Sequence, residues 1–139
     1  MRLKNLTTLE TVTLPNGLYW KDEFGDVPFE EREERSVTGL LLLFQQEKIG
    51  GQPLTLASSD DKNWITRRAL KKLYEWARQP ALKMTLSLDM AIDSRVFTVS
   101  FRHSEPPAII AKEVIDAKPL SDEIYYQVSL KLRIHSETV

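Results

Sequence analysis

Cysteine is absent from the chain, which removes disulfide scaffolding, thiolate catalysis and thiolate metal sites together. Glycine is scarce at five residues, and the pair Gly50-Gly51 is followed by Gln52 and Pro53 instead of the lysine of a phosphate cradle. The two histidines, His103 and His135, are too far apart in sequence for a metalloprotease-type helix. Charge of one sign is missing as well. Nineteen basic and twenty acidic residues leave a net charge of -1, so no global field draws the chain to nucleic acid or to an anionic membrane. No apolar run approaches the length that crosses a bilayer. The start, Met1-Arg2-Leu3-Lys4-Asn5-Leu6, is not followed by the apolar core of a signal peptide, and the expectation is a protein kept inside a cell or packaged from there into a particle.

What is present suffices for one domain over residues 1–139. An apolar content of 42% against 28% charged belongs to folded chains, not disordered ones, and a chain of this length buries roughly two thirds of its unfolded surface. The one convincing helix runs from about residue 66 to 79. Thr66 is a fitting N-cap, Ile65 precedes it, Leu70 stands at the fourth helical position as in a hydrophobic staple, and Pro80 closes the segment. Leu70, Leu73, Tyr74 and Ala77 form the predicted apolar stripe, with Arg67, Lys71, Lys72, Glu75 and Arg78 mostly elsewhere on the helix.

Strand patterns supply the partner for that stripe. Val12 and Leu14 suggest a short strand ending at Pro15-Asn16-Gly17. Residues 1–37 otherwise read as a less regular N-terminal arm with an aromatic loop, in which Glu30 to Arg35 is solvated surface. Residues 38–139 read as the β core. Leu40-Leu41-Leu42-Leu43-Phe44, the most continuous apolar run, is expected to be a strand buried on both faces, by the helix and by another sheet or subunit. Gln52 to Leu56 is read as a strand at an edge or beginning because of Pro53. Leu82 to Leu88, Phe97 to Phe101 and Ile124 to Ile134 alternate with period two. The expectation is about six to eight strands, mostly antiparallel. The fold class is mainly β or α+β, a small barrel, split barrel or sandwich with one packed amphipathic helix.

Each candidate site has a plain structural alternative. His103 and His135 both begin the tripeptide His-Ser-Glu directly after an alternating strand. If the two strand ends coincide, the imidazoles and nearby carboxylates converge as metal ligands or as the acid and base of a small hydrolase; otherwise each histidine marks a strand leaving the core. Asp22, Glu23 and Asp26 near Trp20 resemble a sugar cleft, or an aromatic anchor in a charged loop. A nucleic-acid module would use the basic helix face together with exposed rings. Too many rings are present for one small core. Of Trp64, Tyr74, Trp76 and Tyr125, some are therefore expected to meet a protein partner, while Trp20 and Phe24 pin the aromatic loop.

Several strings carry a resemblance: Leu18-Tyr19-Trp20-Lys21-Asp22-Glu23-Phe24, Val27-Pro28, Thr38-Gly39-Leu40, Gly51-Gln52-Pro53-Leu54-Thr55-Leu56, Trp64-Ile65-Thr66-Arg67 and Phe97-Thr98-Val99-Ser100-Phe101-Arg102. In order along most of the chain, ending with the Val128 to Leu132 strand, they resemble a family of small structural proteins of the tail modules of tailed bacteriophages and prophages. The resemblance implies a baseplate or distal-tail component of the virion, assembled in host cytoplasm as a homo-oligomeric ring and docking on other tail proteins. It makes Trp20, Phe24, Trp64 and Trp76 the expected anchors of loops and partners, none with a chemical step, and it implies no enzyme activity, no cofactor, no metal and no membrane insertion.

Overall fold

In the computed structural model, residues 1–59, 61–88, 92, 94–114 and 121–138 are described. The elements are β1 (Arg2–Asn5), β2 (Thr11–Thr13), β3 (Tyr19–Trp20), β4 (Phe29–Arg35), β5 (Leu41–Glu47), β6 (Gln52–Ala57), β7 (Ile65–Thr66), α1 (Arg67–Ala77), β8 (Met84–Ser87), β9 (Val96–Phe101), β10 (Ile109–Glu113) and β11 (Tyr125–Thr138). They form a mixed α+β fold of two antiparallel sheets and one packed helix, and neither sheet closes into a barrel.

The 14-residue β11 organises the larger, nine-stranded sheet. Its alternation buries Tyr126, Val128, Leu130, Leu132 and Ile134 on one side, as a period-two strand must when a single face is covered. Its length lets two strands share each edge. β10 pairs along Tyr126 to Leu130 and β9 along Leu132 to Thr138, while β7 and β6 occupy the opposite edge. Between Ile134 and Ser136 the register with β9 shifts, which leaves His135 as the extra residue of a β-bulge. Beyond β9 the order continues through β8 and β1 to β2.

The N-terminal residues, expected to be a less regular arm, contribute strands β1 to β4. β1 lies inside the sheet between β2 and β8, and Met1 and Leu3 belong to the core. β6 is an inner strand between β11 and β3, and Pro53, opposite Arg133, is its second residue, the strand beginning that is one of the two expectations for it. The expected β8–β9 hairpin is present and antiparallel. Its connecting residues 89–91 and 93, and residues 115–120 of the expected Asp116 to Asp122 connector, lie outside the described residues.

Helix α1 begins where its capping chemistry places it. Thr66 Oγ1 accepts from the Ala69 N–H at 3.3 Å, satisfying one of the donors that a first turn leaves free. Ile65 and Leu70 are both buried. The buried stripe is Leu70, Leu73 and Trp76, rotated from the expected one. Tyr74 instead stands 43% exposed, its hydroxyl 3.5 Å from the Ile109 carbonyl. Thr66→Ala is expected to cost about 1 kcal/mol of folding free energy, read as a lowered urea midpoint with an unchanged slope.

Candidate assembly surface

β4 and β5 form the second sheet by themselves, seven residues against seven from Phe29–Glu47 to Arg35–Leu41. At 3.4 Å per residue this two-stranded arm is about 24 Å long. The turn is built from Ser36 to Leu40. The Ser36 N–H donates to the Leu40 carbonyl at 2.9 Å, the Gly39 N–H to the Ser36 carbonyl at 2.9 Å, and the Leu40 N–H to Ser36 Oγ at 3.0 Å. Gly39 has φ +85, a conformation in which a Cβ would be strained. At the base, Lys48 donates through its backbone to the Pro28 carbonyl and through Nζ to Asp26, at 2.8 and 3.0 Å.

The register explains why the apolar strand is not buried as expected. Directly opposed residues in an antiparallel ladder share a face. One face carries Glu31, Glu33 and Arg35 of β4 beside Gln45, Leu43 and Leu41 of β5. The other carries Glu30, Arg32 and Glu34 beside Gln46, Phe44 and Leu42. Covering either face with a core would desolvate a column of charges. All of β4 is exposed, and in β5 only Leu42 is half-buried; Leu43 and Phe44 are 51% and 55% exposed.

The two edges of the arm differ in chemistry. Glu30 to Arg35 is an unbroken run of charge along β4, the device by which an open strand edge is protected from pairing. Leu40 to Gln46 carries no charge before Glu47 ends the strand, so β5 from Leu41 to Phe44 presents an unprotected edge flanked on both faces by apolar side chains. Val37 at the tip, and Phe24, Val27 and Ile49 in the segments leading into and out of the arm, add exposed apolar surface.

The five sequence-designated aromatic residues divide. Phe24 is 91% exposed and free to meet a partner. Trp64 is half-buried, its ring 6.4 Å from that of Tyr125 and its Nε1 donating to the Ser59 carbonyl at 3.2 Å. Tyr125 is 53% exposed. Trp20 packs edge-on to Phe97 at 5.7 Å with the Arg95 guanidinium 5.5 Å from its ring, so its surface is largely engaged within the chain. Trp76 is 1% exposed and belongs to the core, because the helix turns it onto the sheet beside Leu73.

Other expected chemistries meet local obstacles. The three carboxylates near Trp20 each have a different partner: Asp22 accepts from the Thr55 N–H and hydroxyl at 2.8 Å, Glu23 pairs with Arg95 at 3.1 Å, and Asp26 with Lys48 at 3.0 Å. They hold loops to strands. On the helix, Arg68 pairs with Glu123, Lys71 with Asp122 and Lys72 with Glu10, at 2.7 to 2.8 Å. The hydrogen bond from Lys71 holds the Asp122 carboxyl below its usual range, and the bond to Glu10 raises Lys72. A phosphate backbone would have to displace these carboxylates. His103 and His135 do line one cavity, but among the described residues no group of three or more His, Asp or Glu is placed to hold a metal. Also among the described residues, no helix is long and apolar enough to cross a membrane.

Comparison with protein-family models, with curated proteins and with solved structures finds no match.

Proposed function

We propose that the chain is a non-enzymatic structural component of a phage tail or baseplate, joined to its neighbours through the β4–β5 arm. The observation that carries this reading is β5, a strand without charge from Leu41 to Gln46, exposed on both faces and with its outer edge unpaired among the described residues. A folded chain seldom leaves such a surface open. A strand from another subunit would complete its hydrogen bonds by β-augmentation while covering the leucines. The resemblance to tail-module proteins supplies the setting: cyclic closure around a tube repeats one arm-to-neighbour contact without leaving a free end. Phe24, Trp64 and Tyr125 add aromatic surface of the kind that concentrates binding energy.

The test is absolute mass by light scattering over a concentration series, for the protein alone and mixed with the products of neighbouring genes. The expected result is a closed ring, or a monomer that enters a defined assembly when those products are added. A monomer that remains one at every concentration and with every neighbour overturns the proposal.

A further inference from the structure

Away from the arm, the bulge in β11 creates a second kind of surface. His135 is the residue that the shifted register leaves unpaired with β9, and bulges re-aim side chains in this way. Its Nε2 lies 2.8 Å from Ser100 Oγ. The backbone beneath is held by the Gly51 N–H, which donates to the Ile134 carbonyl at 2.8 Å. His135 opens on a cavity of about 380 Å³ whose polar lining includes Lys83, His103, Arg133 and Ser104. Arg133 Nη2 donates to Ser104 Oγ at 3.1 Å.

Among the described residues the charge of this cavity is uncompensated. Lys83 and Arg133 have no carboxylate partner among the described residues, and no described carboxylate lines the cavity. Burial, then Lys83 and Arg133, hold the His135 imidazole below its usual pKa, the response of a basic group to desolvation and to neighbouring cations. Leu82 and Phe101 form an apolar wall of the same cavity.

We propose that this cavity binds a small phosphomonoester. Lys83 supplies a point charge, Arg133 a planar fork of N–H donors, and the two imidazoles and Ser100 further polar contacts. That set exceeds what the two oxygens of a carboxylate can use and suits the three terminal oxygens of a phosphate. The organic moiety lies against Leu82 and Phe101.

The experiment is an NMR titration of the whole chain with phenyl phosphate at constant ionic strength, following the imidazole signals of His103 and His135, with inorganic phosphate and acetate run in parallel. Saturable shifts of both imidazoles are expected, with a dissociation constant of about 1 mM or tighter and weaker binding of inorganic phosphate. Lys83→Gln and the double variant K83Q/R133Q should weaken binding, the double variant at least tenfold. R68Q/K71Q, on the helix, should bind as the wild type does. The proposal is overturned by shifts that grow without saturating, by acetate or inorganic phosphate acting as strongly as phenyl phosphate, or by equal losses in the cavity and helix variants. Lys83 is exposed, so Lys83→Gln tests the site without endangering the fold.

Discussion

Replacing Leu43 and Phe44 together by lysine is expected to abolish assembly while leaving the body of the protein folded. The two side chains project to opposite faces of β5, so the pair of substitutions puts charge on both faces of the strand at once. An incoming strand would then have to desolvate two ammonium groups, the one at position 43 opposite Glu33 and the one at position 44 opposite Arg32, at a cost of a few kcal/mol because cross-strand pairing offsets only part of the desolvation. Association should weaken by a factor of at least about 100. Stability should hardly change, because both residues are already more than half exposed, and exposed substitutions stay within about 0.5 kcal/mol. Light scattering and thermal unfolding on the same samples check the two halves. A control at Glu34→Gln, on the charged strand, should assemble normally. If L43K/F44K assembles like the wild type, β5 is not the contact; if it unfolds many degrees earlier, the arm packs on the body and is not free.

The arm also shows where reading the sequence falls short. β8, β9 and β11 announce themselves because a strand with one buried face alternates, and their core residues, Met84 and Leu86, Phe97 and Val99, Leu130 and Leu132, are the ones that alternation selects. The helix cap at Thr66 follows from local chemistry in the same way. Leu40 to Phe44 is different, since an unbroken apolar run signals burial without saying by what. Its actual partner, Glu30 to Arg35, was visible as a charge run, with Ser36 to Gly39 as the turn between. Pairing the two would have shown that neither face of the hairpin can enter a core. β1 was missed for another reason: Leu3 and Asn5 alternate too briefly to stand out, and only the pairing with β8 and β2 gives them a place. The cavity at His135 depends on a one-residue register shift 35 positions away from Ser100 along the chain, and spacing alone carries no signal of it. The shared His-Ser-Glu tripeptides did point to that end of the sheet. What they could not give was the company of Lys83 and Arg133.

Trp76 gives the largest expected effect on stability and separates core aromatics from contact aromatics. The indole is 1% exposed, beside Leu73 at 0% and Leu70 at 6%, and these three residues are the whole buried face of the one described helix. Trp76→Ala removes most of that face's volume, and the surrounding sheet can collapse only partly into the space. The expected loss is about 3–5 kcal/mol, a large fraction of the total for an ordinary domain, with a fall in melting temperature on the order of 10 °C or more. Trp64→Ala, at a half-buried ring resting on Tyr125, should cost about 1–2 kcal/mol by comparison. Urea unfolding of both variants measures the difference directly, and equal losses would contradict the burial difference. The same pair bears on assembly. At temperatures where both variants remain folded, Trp76→Ala should associate as the wild type does, because its indole never reaches the surface. Weakened association of folded Trp76→Ala would mean that the helix shifts on assembly and that the core is rearranged with it.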